Sequence, residues 1–321
     1  MIRPAAALLL VLAQPASATT LYVSNEESNV VHVVDGATLK ETGGIDVGKR
    51  PRGLALSPDG RRLYVAVSGD DRLAVVDLAT GKVTGHLPSG PDPETFAVAP
   101  DGKRLYIANE NDNLLTVVDI AGEKIAAEVP VGGEPEGTAV SPDGRLVVQA
   151  SESGAMAHVI DTATGQVIDN LIVDTRPRFV AFSPDGRRFW VSSEARGTVS
   201  VFDSATRKSL GKIDFGKLVA QPSGDVYAQP IGIAFTRDGR RAFVALGRAK
   251  LVAEVDPATL KIVRTYPAGW RAWNLALSPD ETRLYTANGL SGDMTAIDII
   301  ANKAIGTVAL GGKPWGIVAA P

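Results

Sequence analysis

Short apolar runs separated by polar turns fill the chain. Leu63-Tyr64-Val65-Ala66-Val67 shows the type: β-branched and aromatic side chains in a run too short for a helix, which predicts a strand. Immediately before it stands Ser57-Pro58-Asp59-Gly60. Pro presets φ at the second place of a four-residue turn, Asp caps the neighbouring backbone, and Gly tolerates the exit conformation. The turn returns as Ala99-Pro100-Asp101-Gly102, Ser141-Pro142-Asp143-Gly144, Ser183-Pro184-Asp185-Gly186, Thr236-Arg237-Asp238-Gly239 and Ser278-Pro279-Asp280-Glu281. Its Asp recurs in steps of 42, 42, 42, 53 and 42 residues, a period that signals a propeller or a solenoid.

A second marker fixes the unit. Asp35, Asp77, Asp119, Asp161, Asp203, Asp256 and Asp298 each end a β-rich run and open a turn, as in Asp77-Leu78-Ala79-Thr80-Gly81-Lys82, which suits an Asx-type turn. One unit resolves into four strands: 96–99 (a), 105–108 (b), 115–118 (c) and 124–129 (d). Connections this short leave no room for helices, so the strands pair as an antiparallel meander, and such sheets repeated about an axis make a β-propeller. Residues 20–24 match strand b, 30–34 strand c and 45–47 strand d, while 315–320 match strand a. The two ends therefore complete one blade. The expectation is an all-β, seven-bladed propeller over 19–321, closed by a C-terminal strand a beside the N-terminal strands b, c and d, with no open edge at the seam.

Tyr22, Tyr64, Tyr106, Trp190, Phe243 and Tyr285 share the second place of strand b, with Val148 interrupting the series, and are expected to pack blade on blade. His32 and His158 occupy equivalent places three residues before the marker Asp, in different blades. They and His86 are expected to pack or hydrogen-bond rather than to pair as metal ligands.

With 45% hydrophobic residues in 321, the chain can fill a large core. A net charge of −3 without a basic stripe argues against nucleic acid. The absence of Cys excludes disulfides, thiolate nucleophiles and Cys-based metal sites. Arg3, the apolar stretch 5–13 and Ala16-Ser17-Ala18 read as a cleavable export leader, residues 1–18, too short in its apolar part to span a bilayer. The mature chain is then expected in the periplasm, without a membrane span.

Leu21-Tyr22-Val23-Ser24-Asn25, Leu63-Tyr64-Val65-Ala66 and Leu105-Tyr106-Ile107-Ala108-Asn109 resemble the YVTN β-propeller repeat. So do the Pro-Asp-Gly turns and Gly48, Gly133 and Gly312 ahead of the next Pro. The resemblance covers the whole mature chain. Seven such repeats behind a leader look like the β-propeller proteins associated with PQQ-dependent alcohol catabolism. The resemblance implies a non-catalytic binding or scaffold protein, and a monomer is expected. Its implied partners are a periplasmic quinoprotein dehydrogenase, its cytochrome or a transporter component. It supplies no catalytic residues.

The loops from strand d to the next strand a share one face with the b–c loops, around the central channel, where ligand sites are usual. Aligned by the repeat, their first position reads Arg50, Asp92, Glu134, Arg176, Gln229, Arg271 and Lys313. Two residues on it reads Arg52, Glu94, Glu136, Arg178, Ile231, Trp273 and Trp315. Carboxylates thus stand between arginines, a ring of compensating charges in which an exposed pair is worth about 0–1 kcal/mol. Across the ring Trp270, Arg271, Trp273, Lys313 and Trp315 meet Arg50 and Arg52, an arc suited to a planar anion such as PQQ. The b–c loops carry Glu26, Glu27, Asp70, Asp71, Glu110, Asp112, Glu152, Glu194 and Asp293, oxygen ligands that suit Ca²⁺, but without EF-hand-like spacing such a set is more often a solvated rim. Eleven residues are inserted on one d–a loop within 211–230, as a lid, a partner-binding flap or a tolerated surface insertion. Two alternatives stand beside the scaffold: a propeller hydrolase or lactonase using Glu94, Glu134 or Glu136, with or without a metal, and a cell-surface structural or adhesion propeller.

Overall fold

A computed structural model of the chain describes residues 19–219 and 226–321. The leader expected at 1–18, and Pro222, Ser223 and Gly224 of the insertion, lie outside the described residues.

The described strands form seven four-stranded antiparallel sheets arranged as a seven-bladed β-propeller. Blade one is closed by the two ends of the chain: Pro314–Ala320 pairs with Thr20–Asn25, which pairs with Val30–Asp35, which pairs with Lys40–Asp46. Leu21 stands opposite Ala319 and Tyr22 opposite Val318, so the apolar faces of both strands fall in register. Blades two to seven follow in chain order, with inner strands Pro51–Leu56, Pro93–Val98, Pro135–Val140, Pro177–Phe182, Ile233–Phe235 and Ala272–Leu277. The outer strand of blade one runs over Lys40–Asp46, five residues earlier than the 45–47 expected. Its Lys40–Gly44 stretch is exposed and carries no apolar signal, because an outermost strand needs a hydrogen-bonding partner more than a buried face.

The turns do what their residues dictate. Ser57 Oγ donates to Asp59 Oδ1 at 2.5 Å, Arg61 N donates to the same oxygen at 3.1 Å, and Gly60 takes φ +67°. These hydrogen bonds, the Ser57 hydroxyl first, hold the Asp59 carboxyl below its ordinary range. At six of the seven marker positions the Asp side chain accepts backbone N–H groups two or three residues on, as at Asp77, whose Oδ1 takes Thr80 N at 2.8 Å.

Packing is blade against blade. Trp190 is fully buried in a cluster with Ala242, Val244 and Ala253 of the next blade and meets Phe235 edge-on at 4.9 Å. Tyr22 joins Leu63, Val65 and Val67 of blade two. Both buried histidines are structural: His32 Nδ1 lies 2.7 Å from Glu41, and His158 Nε2 accepts Gly132 N at 2.9 Å.

The inner strands crowd round the axis. A Cβ on Gly53 would stand 2.7 Å from the Glu94 carbonyl oxygen of the neighbouring inner strand, and one on Gly316 would stand 2.6 Å from that of Arg52. Glycine lets these backbones approach, and polar side chains bind across the gap. Ser24 Oγ donates to Arg52 O at 2.6 Å, Asn274 Nδ2 donates to Trp315 O at 3.1 Å, and Thr95 Oγ1 donates to Glu136 O. Each residue named here as an acceptor also presents its side chain at the channel mouth.

Candidate functional site at the channel mouth

Arg52, Glu94, Glu136, Arg178, Trp273 and Trp315 are each the second residue of an inner strand. The repeat alignment puts all but Trp315 on loops, Trp315 at the start of strand a; the structure sets all six on inner strands, which fixes their directions. The first aligned position stays in the connection. Arg50, Asp92, Glu134, Arg176 and Arg271 adopt φ between +46° and +63° there, a left-handed conformation that costs a non-glycine residue about 1–2 kcal/mol.

The side chains converge on the axis and form two ion-pair clusters. Arg52 binds Glu94 of blade three and, through Nε, Glu26 of blade one, with Glu110 3.9 Å from Nη1. Arg50 Nη1 lies 3.1 Å from Asp92 Oδ1. On the far side, Arg178 binds Glu136, with Glu152 at 3.1 Å from Nη1 and Glu194 at 2.7 Å from Nε. Arg271 Nη1 reaches Glu194 Oε1 and Gln229 Oε1, each at 2.6 Å. An aromatic bridge joins the clusters. Arg271 lies 4.0 Å from the Trp273 ring centroid and Arg178 5.8 Å from it; Trp273 faces Trp315 at 5.9 Å and 31°; Arg52 lies 5.9 Å from Trp315.

Four glutamates read as a possible solvated rim belong to these clusters: Glu26, Glu110, Glu152 and Glu194, the last only 1% exposed. Each directly follows strand b, four residues after the packing position of that strand, and that shared phase was the signal available in the sequence. In blades six and seven the same place holds Gly247 and Gly289. A Cβ on Gly289 would stand 2.5 Å from Trp273 Nε1, so its absence makes room for the indole.

Not every expected residue joins. Trp270 stands apart under Lys250 Nζ, 5.2 Å from its ring. The Lys313 side chain is exposed, and its backbone N donates to Asn25 Oδ1 at 2.8 Å. Glu134 is exposed and accepts from Ser153. The arc is not a free cationic surface, because Arg52, Arg178 and Arg271 already hold carboxylates of the chain. The inserted loop reaches the site at its end. Gln229, 3% exposed, donates to Glu194 Oε1 and to the Tyr227 hydroxyl oxygen, each at 2.8 Å.

Burial and charge split the carboxylates. Burial pushes the Glu136 carboxyl up to about 7, against the pull of Arg178 and Arg52. Burial also pushes on Glu194, but Arg271 and Arg178 outweigh it and hold that carboxyl below its ordinary range. Burial works against the Arg178 charge too, yet Glu136, Glu194 and Glu152 keep it firmly protonated. The mouth thus carries one carboxyl poised near neutral pH among permanently charged neighbours, a signature of functional sites. A cleft of about 410 Å³ at the opposite end, between turns holding Pro184, Asp185, Asp238 and Gly239, has no buried carboxylate.

Residues 12–126 match the model of a family described as "Lactonase, 7-bladed beta-propeller". The chain is similar to solved propellers over most of its length. Hydrazine synthase of Kuenenia stuttgartiensis is 24% identical, with a TM-score of 0.77 over 87% of this chain and 92% of that one. A periplasmic gluconolactonase of Pseudomonas aeruginosa is 20% identical, with a TM-score of 0.78 over 95% and 99%. A functionally unknown protein of Desulfotomaculum acetoxidans is 17% identical, with a TM-score of 0.78 over 94% and 98%. At these identities the likeness is one of fold. No curated protein matches the chain.

Proposed function

We propose that the protein hydrolyses a lactone at the channel mouth, with Glu136 as general base and a hydroxylated, sugar-derived ring as substrate. The observation that carries this is the Glu136 carboxyl, buried against Arg178 and pushed up to about 7, where a base is most effective near neutral pH. The lactonase family match over 12–126 and the fold shared with a gluconolactonase support the same class. They favour it over the non-catalytic quinoprotein scaffold expected from the repeat. The arginines that would have received the carboxylates of PQQ are already engaged with the chain's own.

Ionised Glu136 takes a proton from a water as the water oxygen bonds to the lactone carbonyl carbon. The carbonyl electron pair moves onto oxygen as the tetrahedral intermediate forms. Collapse re-forms the carbonyl and breaks the ring C–O bond. The departing alkoxide takes the proton back from Glu136. One water is consumed and one hydroxy acid is formed. The Trp273–Trp315 pair offers flat apolar surface for the ring. Action in the periplasm, after removal of a leader, is part of this proposal.

The test follows proton release from purified protein given glucono-1,5-lactone and a panel of aliphatic lactones, beside Glu136→Gln. Hydrolysis above the spontaneous rate, lost in a folded Glu136→Gln protein, supports the reading. A folded parent protein inactive on the whole panel overturns it.

A further inference from the structure

The two ion-pair clusters look alike but differ in charge. Glu136, Glu152 and Glu194 set three carboxyl groups against the three guanidinium groups of Arg176, Arg178 and Arg271. Asp92, Glu94, Glu110 and Glu26 carry four against the two of Arg50 and Arg52, which leaves two negative charges unmatched within that group. The repeat explains the difference. Arg50 and Arg52 stand three repeats before Arg176 and Arg178, but the first cluster has no counterpart of Arg271.

A second observation lies inside that cluster. Glu94 is fully buried and neither of its oxygens accepts a hydrogen bond; Oε1 is ion-paired with the guanidinium of Arg52, with Arg50 at 4.0 Å, and Oε2 has no partner of either kind. Leaving a buried charged oxygen without a partner is costly, and folded proteins avoid it unless something else fills the place. Glu94, Asp92 and Glu110 each bring one carboxylate oxygen within 4.8 Å of the others. That spacing lets a single ion touch all three.

We infer that Asp92, Glu94 and Glu110 bind a divalent cation of the calcium class. The donors are all carboxylates, with no imidazole or thiolate among them, which selects a hard cation over zinc or copper. They come from two pieces of backbone: Asp92-Pro93-Glu94, where the d–a connection enters the inner strand, and the turn after strand b that carries Glu110. An irregular shell of this kind, completed by water, suits the flexible coordination of Ca²⁺ better than the strict octahedron of Mg²⁺. The ion supplies the two positive charges that the cluster lacks and gives the buried Glu94 carboxylate a further partner. It sits beside Arg52 on the blade-three side of the mouth and does not involve Glu136.

The test is binding of Tb³⁺, a luminescent stand-in for Ca²⁺, to the full mature chain, with excitation through tryptophan. Trp315 lies 5.9 Å from the guanidinium of Arg52, which itself binds Glu94, so an ion at Glu94 falls within energy-transfer range. The expected result is saturable luminescence displaced by Ca²⁺, with one-to-one Ca²⁺ binding by calorimetry. Glu94→Gln and Asp92→Asn should each weaken it at least tenfold. Glu134→Gln, at the place in blade four equivalent to Asp92, should leave it unchanged. Asp92 lies in a connection, so its variant reports on the site even if the buried Glu94 variant fails to fold. Absence of saturable binding to the folded parent protein overturns the inference, as does binding undiminished in Asp92→Asn and in folded Glu94→Gln. The outcome is separable from the hydrolase reading: hydrolysis by protein that binds no cation leaves that reading intact, and cation binding without hydrolysis leaves this one.

Discussion

Arg178 of blade five reaches back to hold Glu136 of blade four, yet the carboxyl it holds is pushed up to about 7. Burial outweighs the guanidinium, so the folded protein holds the Glu136 proton more tightly than the unfolded chain does. The stability linked to this group is therefore fully present below the ordinary carboxylate pKa and falls as pH rises towards 7. Replacing the acid with a neutral amide removes that liability. Glu136→Gln should gain stability relative to the parent protein between pH 5 and pH 8, by about 1–3 kcal/mol at the upper end. Urea unfolding of both proteins at the two pH values measures this. A relative gain that shrinks with pH would show that ionised Glu136 is stabilising.

Glu194 has the opposite character. It binds Arg178 and Arg271 at once and is almost wholly buried. Its carboxyl is held below the ordinary range, so its contribution is present at neutral pH and is lost as pH falls through that lowered value. Glu194→Gln leaves two buried guanidinium groups short of charge and should cost about 3–5 kcal/mol. The same unfolding titration at pH 8 should show the midpoint falling, in contrast to Glu136→Gln.

Gly289 decides where Trp273 can lie. A methyl group there would stand 2.5 Å from the indole nitrogen, and the ring is the part able to move. Gly289→Ala should displace Trp273 from Trp315 and weaken substrate binding. We expect KM to rise about tenfold, about 1.4 kcal/mol, with kcat changed far less. A kcat loss at constant KM would place Trp273 outside the binding surface.

The closing strand ties the ring. Without Pro314–Ala320, the edge of Thr20–Asn25 is unpaired and the apolar faces of Leu21 and Val23 lose Ile317. A chain ending at residue 313 should lose its single cooperative unfolding transition. Calorimetry showing one transition at the parent temperature would mean the clasp is dispensable.

Much of this architecture was legible from residue order. The Pro-Asp-Gly turns set the period, and the complementary ends set seven blades with a shared one; both depend on local chemistry that repeats. The pairing of mouth residues was legible in part, since Arg52, Glu94, Glu136 and Arg178 stand out against their equivalents. Depth was less readable. Glu194 and Glu152 looked like solvated loop residues because a polar side chain pointing at an axis gives the same local pattern as one pointing at water. The outer strand Lys40–Asp46 was clipped for a related reason: its residues are exposed, and only a hydrogen-bonded neighbour makes them a strand. The role of Gly289 was hidden because its function is the space it leaves for a residue sixteen positions earlier.

The measurement that bears most directly on the central claim is the pH dependence of kcat/KM for lactone hydrolysis by the parent protein, which reports the ionisation of the essential base in the free protein. Glu136 as that base predicts an acid limb rising to a plateau through a pKa near 7, and its disappearance with the activity in Glu136→Gln. A limb at the ordinary carboxylate pKa, or an unchanged profile in the Glu136→Gln protein, would contradict it.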